Sequence, residues 1–289
     1  MKKNILVTGA NGFIGKELIN KLIINGYKVT AHTNADGDIS SCNLDYPNIE
    51  HVVHLAAMTY VPDSWVNTPE FYKVNFLGTE NVLEFCRKNK CSLTFLSTYV
   101  YGTPMYNPID ENHRTVPNTP YNHSKLLAEE LCKFYSDKFD VPITILRPFN
   151  IYGEGQKDCF LIPTIIRQII DPKIKIIEVM DLRPKRDYLY IDDLISAIIL
   201  TIAGDRFSVY NVGSGKSVSV EEVIKAVLAV TGIKKQYKSK NIERKHEIMD
   251  ACANINKIKS ELGWMPAFSL EQGIGYIISK NMRKSYEEN

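Results

Sequence analysis

Long apolar runs are missing from this sequence. No stretch approaches the roughly 20 consecutive apolar residues of a membrane span. The opening MKKNILVTGA passes from two lysines straight into a short apolar segment with glycines, which is not the layout of a signal peptide. Charge of one sign is lacking too. Lys plus Arg total 35 against 33 Asp plus Glu, and a net charge of +2 gives no argument for a nucleic-acid or membrane partner. Cysteine is scattered: Cys42, Cys86, Cys91, Cys132, Cys159 and Cys252 form no C-x-x-C pair, as expected of thiols in a reducing compartment. The six histidines form no metal-ligand pattern, and Asp36, Asp38 and Asp45 are too spread out for a cation site, so no metal is expected. Repeats, low-complexity tracts and linkers are absent. Together these absences lead to the expectation of a soluble, cytoplasmic globular protein.

What is present is alternation. Strands are expected at Asn4–Thr8, Lys28–Ala31, His51–Ala56, Ser92–Leu96 and Ile143–Arg147, with helices at Gly15–Asn25, 71–89 and 121–138. Strands spaced by helical segments imply right-handed βαβ units and a doubly wound parallel sheet of Rossmann type. Beyond about residue 152 the pattern loosens. Helices are expected at Phe160–Ile170, 192–203 and Val220–Thr231, and strands at Asp187–Ile191 and Phe207–Val212. We therefore expect a dinucleotide-binding domain over 1–155, to which 186–213 returns, and a smaller substrate-binding domain over 156–289.

The first strand runs into TGANGFIGKEL. Gly9, Gly12 and Gly15 make G-x-x-G-x-x-G between a strand and a helix. Such a loop turns tightly, lets backbone approach a pyrophosphate and aims a helix N-terminus at the anion. Further on, Tyr121 and Lys125 stand at i and i+4 at a helix start, so their side chains share one face. A free phenol, with a pKa near ~10, is a poor base at neutral pH. A neighbouring ammonium would favour phenolate, so Tyr121 could act as a base.

In its glycine spacing, and in GDI (37–39), HLAA (54–57), VNFLGTENVLEFC (74–86), STYVYG (97–102), YNHSK (121–125), RPFNIYGEGQ (147–156), RDYLYIDDL (186–194), YNVGSGKSVSV (210–220) and ELGWMP (261–266), the chain resembles the extended short-chain dehydrogenase/reductases. Within them it resembles the NAD-dependent nucleotide-sugar epimerase/dehydratase family, and the ordered matches cover nearly the whole length. The resemblance implies an NAD or NADP site formed by Gly9, Asn11, Gly12, Phe13, Ile14 and Gly15, by Asp38 and Ile39 near the adenine, by Leu55, Ala56 and Ala57 at a strand end, and by Pro148, Tyr121 and Lys125. Lys125 would bind ribose hydroxyls. Ser97 would be the hydroxyl on the reacting oxygen, with Thr98 its nearest rival and otherwise a substrate contact. Arg186 and Asn150 would meet the substrate diphosphate, and so, in a looser match, would Arg244, with Glu247 nearby. His54 is expected to pack rather than to exchange protons. Asp192 and Asp193 most simply cap the helix that follows. A homodimer through the helices near 71–89 and 121–138 is also implied, as is a nucleotide-diphosphate sugar as substrate.

The reaction stays open between related chemistries. The family's 4,6-dehydratases carry an Asp-Glu pair after the catalytic hydroxyl. Here Thr98 and Tyr99 stand there, which disfavours dehydration. A C4 epimerase comes first and an NADPH-dependent 4-keto-sugar reductase second. A non-catalytic dinucleotide-binding protein is the alternative of another class. Thr33 occupies the place where an acid would select NAD, and no Arg beside it marks NADP. That departure leans toward NADPH, whereas the epimerase reading goes with NAD.

Overall fold

The computed structural model describes residues 2–242 and 247–287. Its centre is a six-stranded parallel sheet. The chain enters through β1 (Asn4–Thr8), α1 (Phe13–Ile24), β2 (Lys28–His32) and β3 (His51–His54). Two short helices follow, α2 (Val61–Val66) and α3 (Thr68–Tyr72). A π-helical turn (Lys73–Leu77) then joins α3 to α4 (Gly78–Asn89). The half is completed by β4 (Ser92–Leu96), α5 (Pro120–Phe139), β5 (Ile143–Pro148) and the short β6 (Asn150–Tyr152).

The second half contains α6 (Leu161–Ile170), β7 (Ile176–Val179), β8 (Lys185–Tyr190), α7 (Ile191–Thr201), β9 (Ser208–Val212), β10 (Ser217–Ser219), α8 (Val220–Thr231), β11 (Gln236–Ser239), β12 (Asp250–Ala251), α9 (Asn256–Leu262) and α10 (Leu270–Glu287). The main sheet runs β2-β1-β3-β4-β5-β9. A second sheet orders β10-β8-β12, with β6 also on β8, and β7 pairs with β11. Within the returning segment, β9 and α7 join the first layer, whereas β8 belongs to the second sheet.

The central strands are buried on both faces because helices cover both faces. β3, β4 and β5 are buried along their whole length. Two cores result. One lies under α1, α7, α8 and α10, built on Leu18, Leu22, Ile195, Ile198, Val223 and Ile274. The other lies under α4 and α5, built on Val52, Leu83, Phe95, Cys132 and Ile145.

The helix expected over 71–89 is interrupted. Asn75, inside the π turn and fully buried, donates to the Met58 carbonyl (3.1 Å) and to Ser124 Oγ (2.9 Å), and accepts from the Met58 N–H (2.9 Å). One amide thus ties the loop after β3 to the start of α5. The extra residue of the π turn brings that side chain inward.

Candidate active site

The site lies at the carboxyl ends of the central strands, where a parallel sheet of this topology leaves its crevice. Gly9 adopts φ +67°, and a Cβ there would sit 2.7 Å from the Ala56 nitrogen. A Cβ on Gly15 would lie 2.4 Å from the Gly9 carbonyl oxygen. Glycine at both places is therefore steric necessity. Helix α1 starts at Gly12 with no side-chain cap and no acid in its first turn, so its first N–H groups stay open to an anion. Asn11 is exposed and Phe13 and Ile14 are half-buried beside it.

Below this loop runs a buried hydrogen-bonded chain. Thr8 Oγ1 accepts from the N–H groups of Leu55 and Ala56, both at 3.2 Å. It shares a 2.7 Å bond with His54 Nδ1, and His54 Nε2 lies 3.2 Å from Thr79 Oγ1. Thr79 spends its proton on the Asn75 carbonyl (2.7 Å), so His54 must donate from Nε2 and accept at Nδ1. Burial holds this imidazole down to about 3. His54 is a neutral strut under Leu55, Ala56 and Ala57, as its place in a strand suggested.

Helix α5 begins where local chemistry requires. Thr119 caps it by accepting from the Asn122 N–H (3.1 Å), and Pro120 supplies the first helical φ. Tyr121 follows, almost fully buried. Burial pushes its phenol up, and a hydrogen bond from Thr98 pulls it partly back. The lowering expected from Lys125 is not what acts on the phenol here. Lys125 is 2% exposed, and its ammonium sits 4.1 Å above the Phe95 ring. Burial lowers its pKa to about 7. Among the described residues it has no hydrogen-bond partner. A buried ammonium with three unused donors, facing the same crevice as an uncapped helix start and a glycine cradle, fits the hydroxyls of a dinucleotide ribose.

Two adjacent hydroxyls, Ser97 and Thr98, stand just past the end of β4. Ser97 is 4% exposed and donates to the Glu129 carboxylate. Glu129 also takes both Nε–H···O contacts of Arg147 (3.1 and 3.0 Å) and an Nη2 bond of 2.5 Å. Arg147 continues to the Tyr101 hydroxyl (3.0 Å), which donates to Asn211 (2.6 Å). Ser97 is thus part of a buried polar chain beneath the site. Thr98, the rival position, is the side chain that lowers the Tyr121 phenol against the effect of burial. Along extended chain, neighbouring side chains point to opposite sides, so one residue decides which way a hydroxyl faces.

The remaining expected residues are dispersed. Asp38 holds Lys73 (2.7 Å) and Ser40, so its carboxylate is already paired. Ile39 is buried against the place a Gly78 side chain would take, and its carbonyl accepts from Asn81 (3.0 Å). Pro148 ends β5 and is buried. Asn150 is exposed at the start of β6. Arg186 pairs with Glu247 and donates to the Ile248 carbonyl. Arg244 lies outside the described residues. Asp193 accepts from the N–H groups of Ala267 (2.7 Å) and Phe268 (3.2 Å), tying α7 to the segment before α10 instead of capping its own helix. Tyr99, where a dehydratase would have an acid, donates to the Gly102 carbonyl (2.5 Å), and burial pushes its phenol far up.

The sequence reading passed over Asp36 except as a cation ligand. Its carboxylate folds back onto Thr33, accepting from the N–H and the hydroxyl, both at 2.8 Å. The T-x-x-D spacing, a side chain closing its own turn, was the available signal.

Comparison with known proteins agrees with this geometry. The family model described as the NAD dependent epimerase/dehydratase family matches residues 5–213. A putative UDP-glucose 4-epimerase of Methanocaldococcus jannaschii is 32% identical over 300 residues, covering 95% of this chain and 97% of its own. A GDP-6-deoxy-D-mannose reductase of Pseudomonas aeruginosa is 29% identical over 309 residues, covering 96% and 97%. The structure of RMD from Pseudomonas aeruginosa complexed with NADPH superposes with a TM-score of 0.90 at 28% identity, over 98% of this chain and 99% of that one. The chain belongs to the NAD dependent epimerase/dehydratase family, a family of enzymes in the short-chain dehydrogenase/reductase superfamily that act on nucleotide sugars with NAD or NADP.

Proposed function

We propose that the protein is a nucleotide-diphosphate-sugar 4-epimerase. The observation that carries this reading is the make-up of the proton-handling set. It consists of one buried phenol, Tyr121, one hydroxyl side chain that lowers it, Thr98, and one buried ammonium, Lys125. Among the described residues no carboxylate acts on Tyr121, and the acid of the same helix, Glu129, is locked to Arg147 and Ser97. Such a set moves one proton to and from one oxygen. It has no second acid or base for eliminating water, and epimerisation at C4 asks for no more.

In this reading Tyr121 takes the proton of the C4 hydroxyl and gives it back after the sugar has turned. Thr98 steadies the oxygen through both steps. Bound NAD supplies the hydride acceptor and donor. Lys125 holds ribose hydroxyls, and the cofactor's positive charge favours phenolate. The glycine loop and the start of α1 carry the cofactor diphosphate. Arg186, Asn150 and Arg244 receive the substrate diphosphate, Arg186 by exchanging Glu247 for phosphate oxygens. The protein works as a homodimer through the face of α4 and α5. The second reading, a 4-keto-sugar reductase, is favoured by the likeness to the NADPH complex of RMD.

One experiment separates them. Nucleotide released from purified protein is identified, and UDP-glucose and UDP-N-acetylglucosamine are offered without added cofactor. Retained NAD with inversion at C4, abolished in Tyr121→Phe, is expected. Consumption of NADPH only with a 4-keto sugar would overturn the epimerase in favour of the reductase. Undiminished turnover in Tyr121→Phe would overturn the mechanism.

A further inference from the structure

Asp187 is a carboxylate that neither the expected site nor the proposed chemistry uses. It follows Arg186 on β8 and is fully buried. Neighbouring side chains of a strand point to opposite faces, so guanidinium and carboxylate leave the sheet on different sides. Oδ1 accepts from the Ser214 N–H (2.7 Å) and hydroxyl (2.6 Å). Oδ2 accepts from the N–H groups of Gly215 (3.0 Å) and Ala253 (3.1 Å). The chain passes so close that a Cβ on Gly213 would lie 2.7 Å from Oδ2. None of these donors is charged. Burial pushes the carboxyl up, and the donors pull it partly back. Keeping an anion out of water on neutral donors is costly, and what it secures here is a junction.

That junction lies where β8 changes partners. β10 pairs with Lys185–Asp187 and β12 with Lys185 and Arg186, whereas β6 pairs with Tyr188–Tyr190. Asn150, the first residue of β6, stands opposite Tyr188. The segment 247–253 is braced along β8 by three successive residues. The Lys185 N–H donates to the Met249 carbonyl (2.8 Å), Arg186 holds Glu247 and the Ile248 carbonyl, and Asp187 takes the Ala253 N–H. The end of this segment also grips the loop after β4. The Ile109 N–H donates to the Cys252 carbonyl and the Asn254 N–H to the Ile109 carbonyl, both at 2.8 Å. Without the carboxylate, three N–H groups and a hydroxyl lose their acceptor, and the backbone against which Arg186 is braced loosens.

We propose that Asp187 is a positioning residue for the substrate diphosphate, holding 247–253 and the Ser214–Gly215 turn against β8 so that Arg186 keeps one orientation. It acts through Arg186 and touches no substrate atom. This rests on Arg186 receiving the diphosphate, as in the reading above.

A double-mutant cycle on binding tests it. Cofactor-loaded protein is titrated with UDP, dTDP, GDP and CDP by calorimetry. The tightest binder is then followed through Asp187→Asn, Arg186→Ala and the two together. In Asp187→Asn an amide N–H₂ replaces one acceptor and faces a donor. That variant should bind the nucleoside diphosphate about tenfold more weakly, and Arg186→Ala at least about tenfold. Together they should lose no more than about threefold beyond Arg186→Ala alone. With whichever nucleotide sugar the wild type turns over, Asp187→Asn should raise KM about tenfold and lower kcat by less than about threefold. Ser214→Ala removes one donor and keeps the backbone ones. It should weaken binding about threefold in the wild type and not at all in Arg186→Ala, and it decides the question if Asp187→Asn does not fold. Additive losses, or unchanged affinity in Asp187→Asn beside a weakened Arg186→Ala, would overturn the proposal and leave the diphosphate reading standing. Unchanged affinity in Arg186→Ala, or no binding of any of the four nucleotides to the wild type, would overturn that reading and the proposal with it.

Discussion

Ser97 and Thr98 lie one residue apart at the end of β4, and the structure gives them opposite consequences when each hydroxyl is removed. Ser97→Ala takes a donor from a buried carboxylate. Glu129 keeps its Arg147 contacts, so the loss is that of one hydrogen bond to a charged group, about 1.5–3 kcal/mol. With an unfolding entropy near about 2.1 cal/mol/K per residue, a chain of 289 residues should melt roughly 2.5–5 °C lower. Its kcat should stay within a few-fold, because the hydroxyl is engaged by Glu129. Thr98→Val keeps the shape and removes only the hydroxyl. Its melting temperature should hold within about 1 °C, as surface and near-surface changes without buried polar loss do. Its kcat should fall about 100-fold, the scale of losing one donor at a reacting oxygen.

The pH profile adds a sign. Thr98 is the side chain that lowers the Tyr121 pKa, so without its hydroxyl the phenol should ionise at higher pH. The rising limb of kcat in Thr98→Val should therefore move to higher pH, whereas that of Ser97→Ala should not. Thermal melts and pH-rate profiles on both variants, with whichever nucleotide sugar the wild type turns over, read all of this. A Ser97→Ala enzyme that melts normally but is catalytically crippled, beside a silent Thr98→Val, would refute the assignment.

Two further outcomes follow from burial and exposure. The unfolded chain keeps the Lys125 proton up to about 10.5, while the folded, cofactor-free protein releases it near 7. Between those values the unfolded state binds more protons, so cofactor-free stability should rise with pH from about 7 upward. Lys125→Met should flatten that rise and raise the melting temperature near neutrality, yet weaken NADH binding about tenfold or more; a variant that melts lower with unchanged affinity would count against the role given to this ammonium. On the proposed dimer face, Phe134 is 51% exposed and Leu77 46%, beside the half-buried Leu126, Leu127 and Leu131. The protein should elute at twice the chain mass at micromolar concentration and Phe134→Lys at the monomer mass, whereas a monomeric wild type would refute the interface.

Features set by neighbouring residues were legible in the sequence. G-x-x-G-x-x-G between a strand and a helix specifies its own turn, and Thr119–Pro120 specifies the start of α5, which fixes where Tyr121 and Lys125 stand. The buried strands were legible from apolar runs, and the parallel sheet from their alternation with helices. What failed depends on contacts across long separations. Nothing within 71–89 announces a π turn. It is held by Asn75 reaching 17 residues back to Met58 and 49 forward to Ser124. β6, β10 and β12 are two or three residues long and owe their pairing to β8.

Ser97 and Thr98 show the same limit at a single site. Counting back from Gly102 yields a position but no direction. In a half-exposed strand, alternating polarity would have labelled the two faces and assigned each hydroxyl a side. β4 carries no such label, because all five of its residues are buried. Thr94, on an interior strand, is polar only because His51 and Thr201 satisfy it, at 2.9 and 2.6 Å. The face of Ser97 is set instead by Glu129 and Arg147, 32 and 50 residues further along, whose ion pair needs a donor at that point of the core. A strand buried on both sides hides the orientation of the catalytic residue at its end, and only the partners brought in by the fold disclose it.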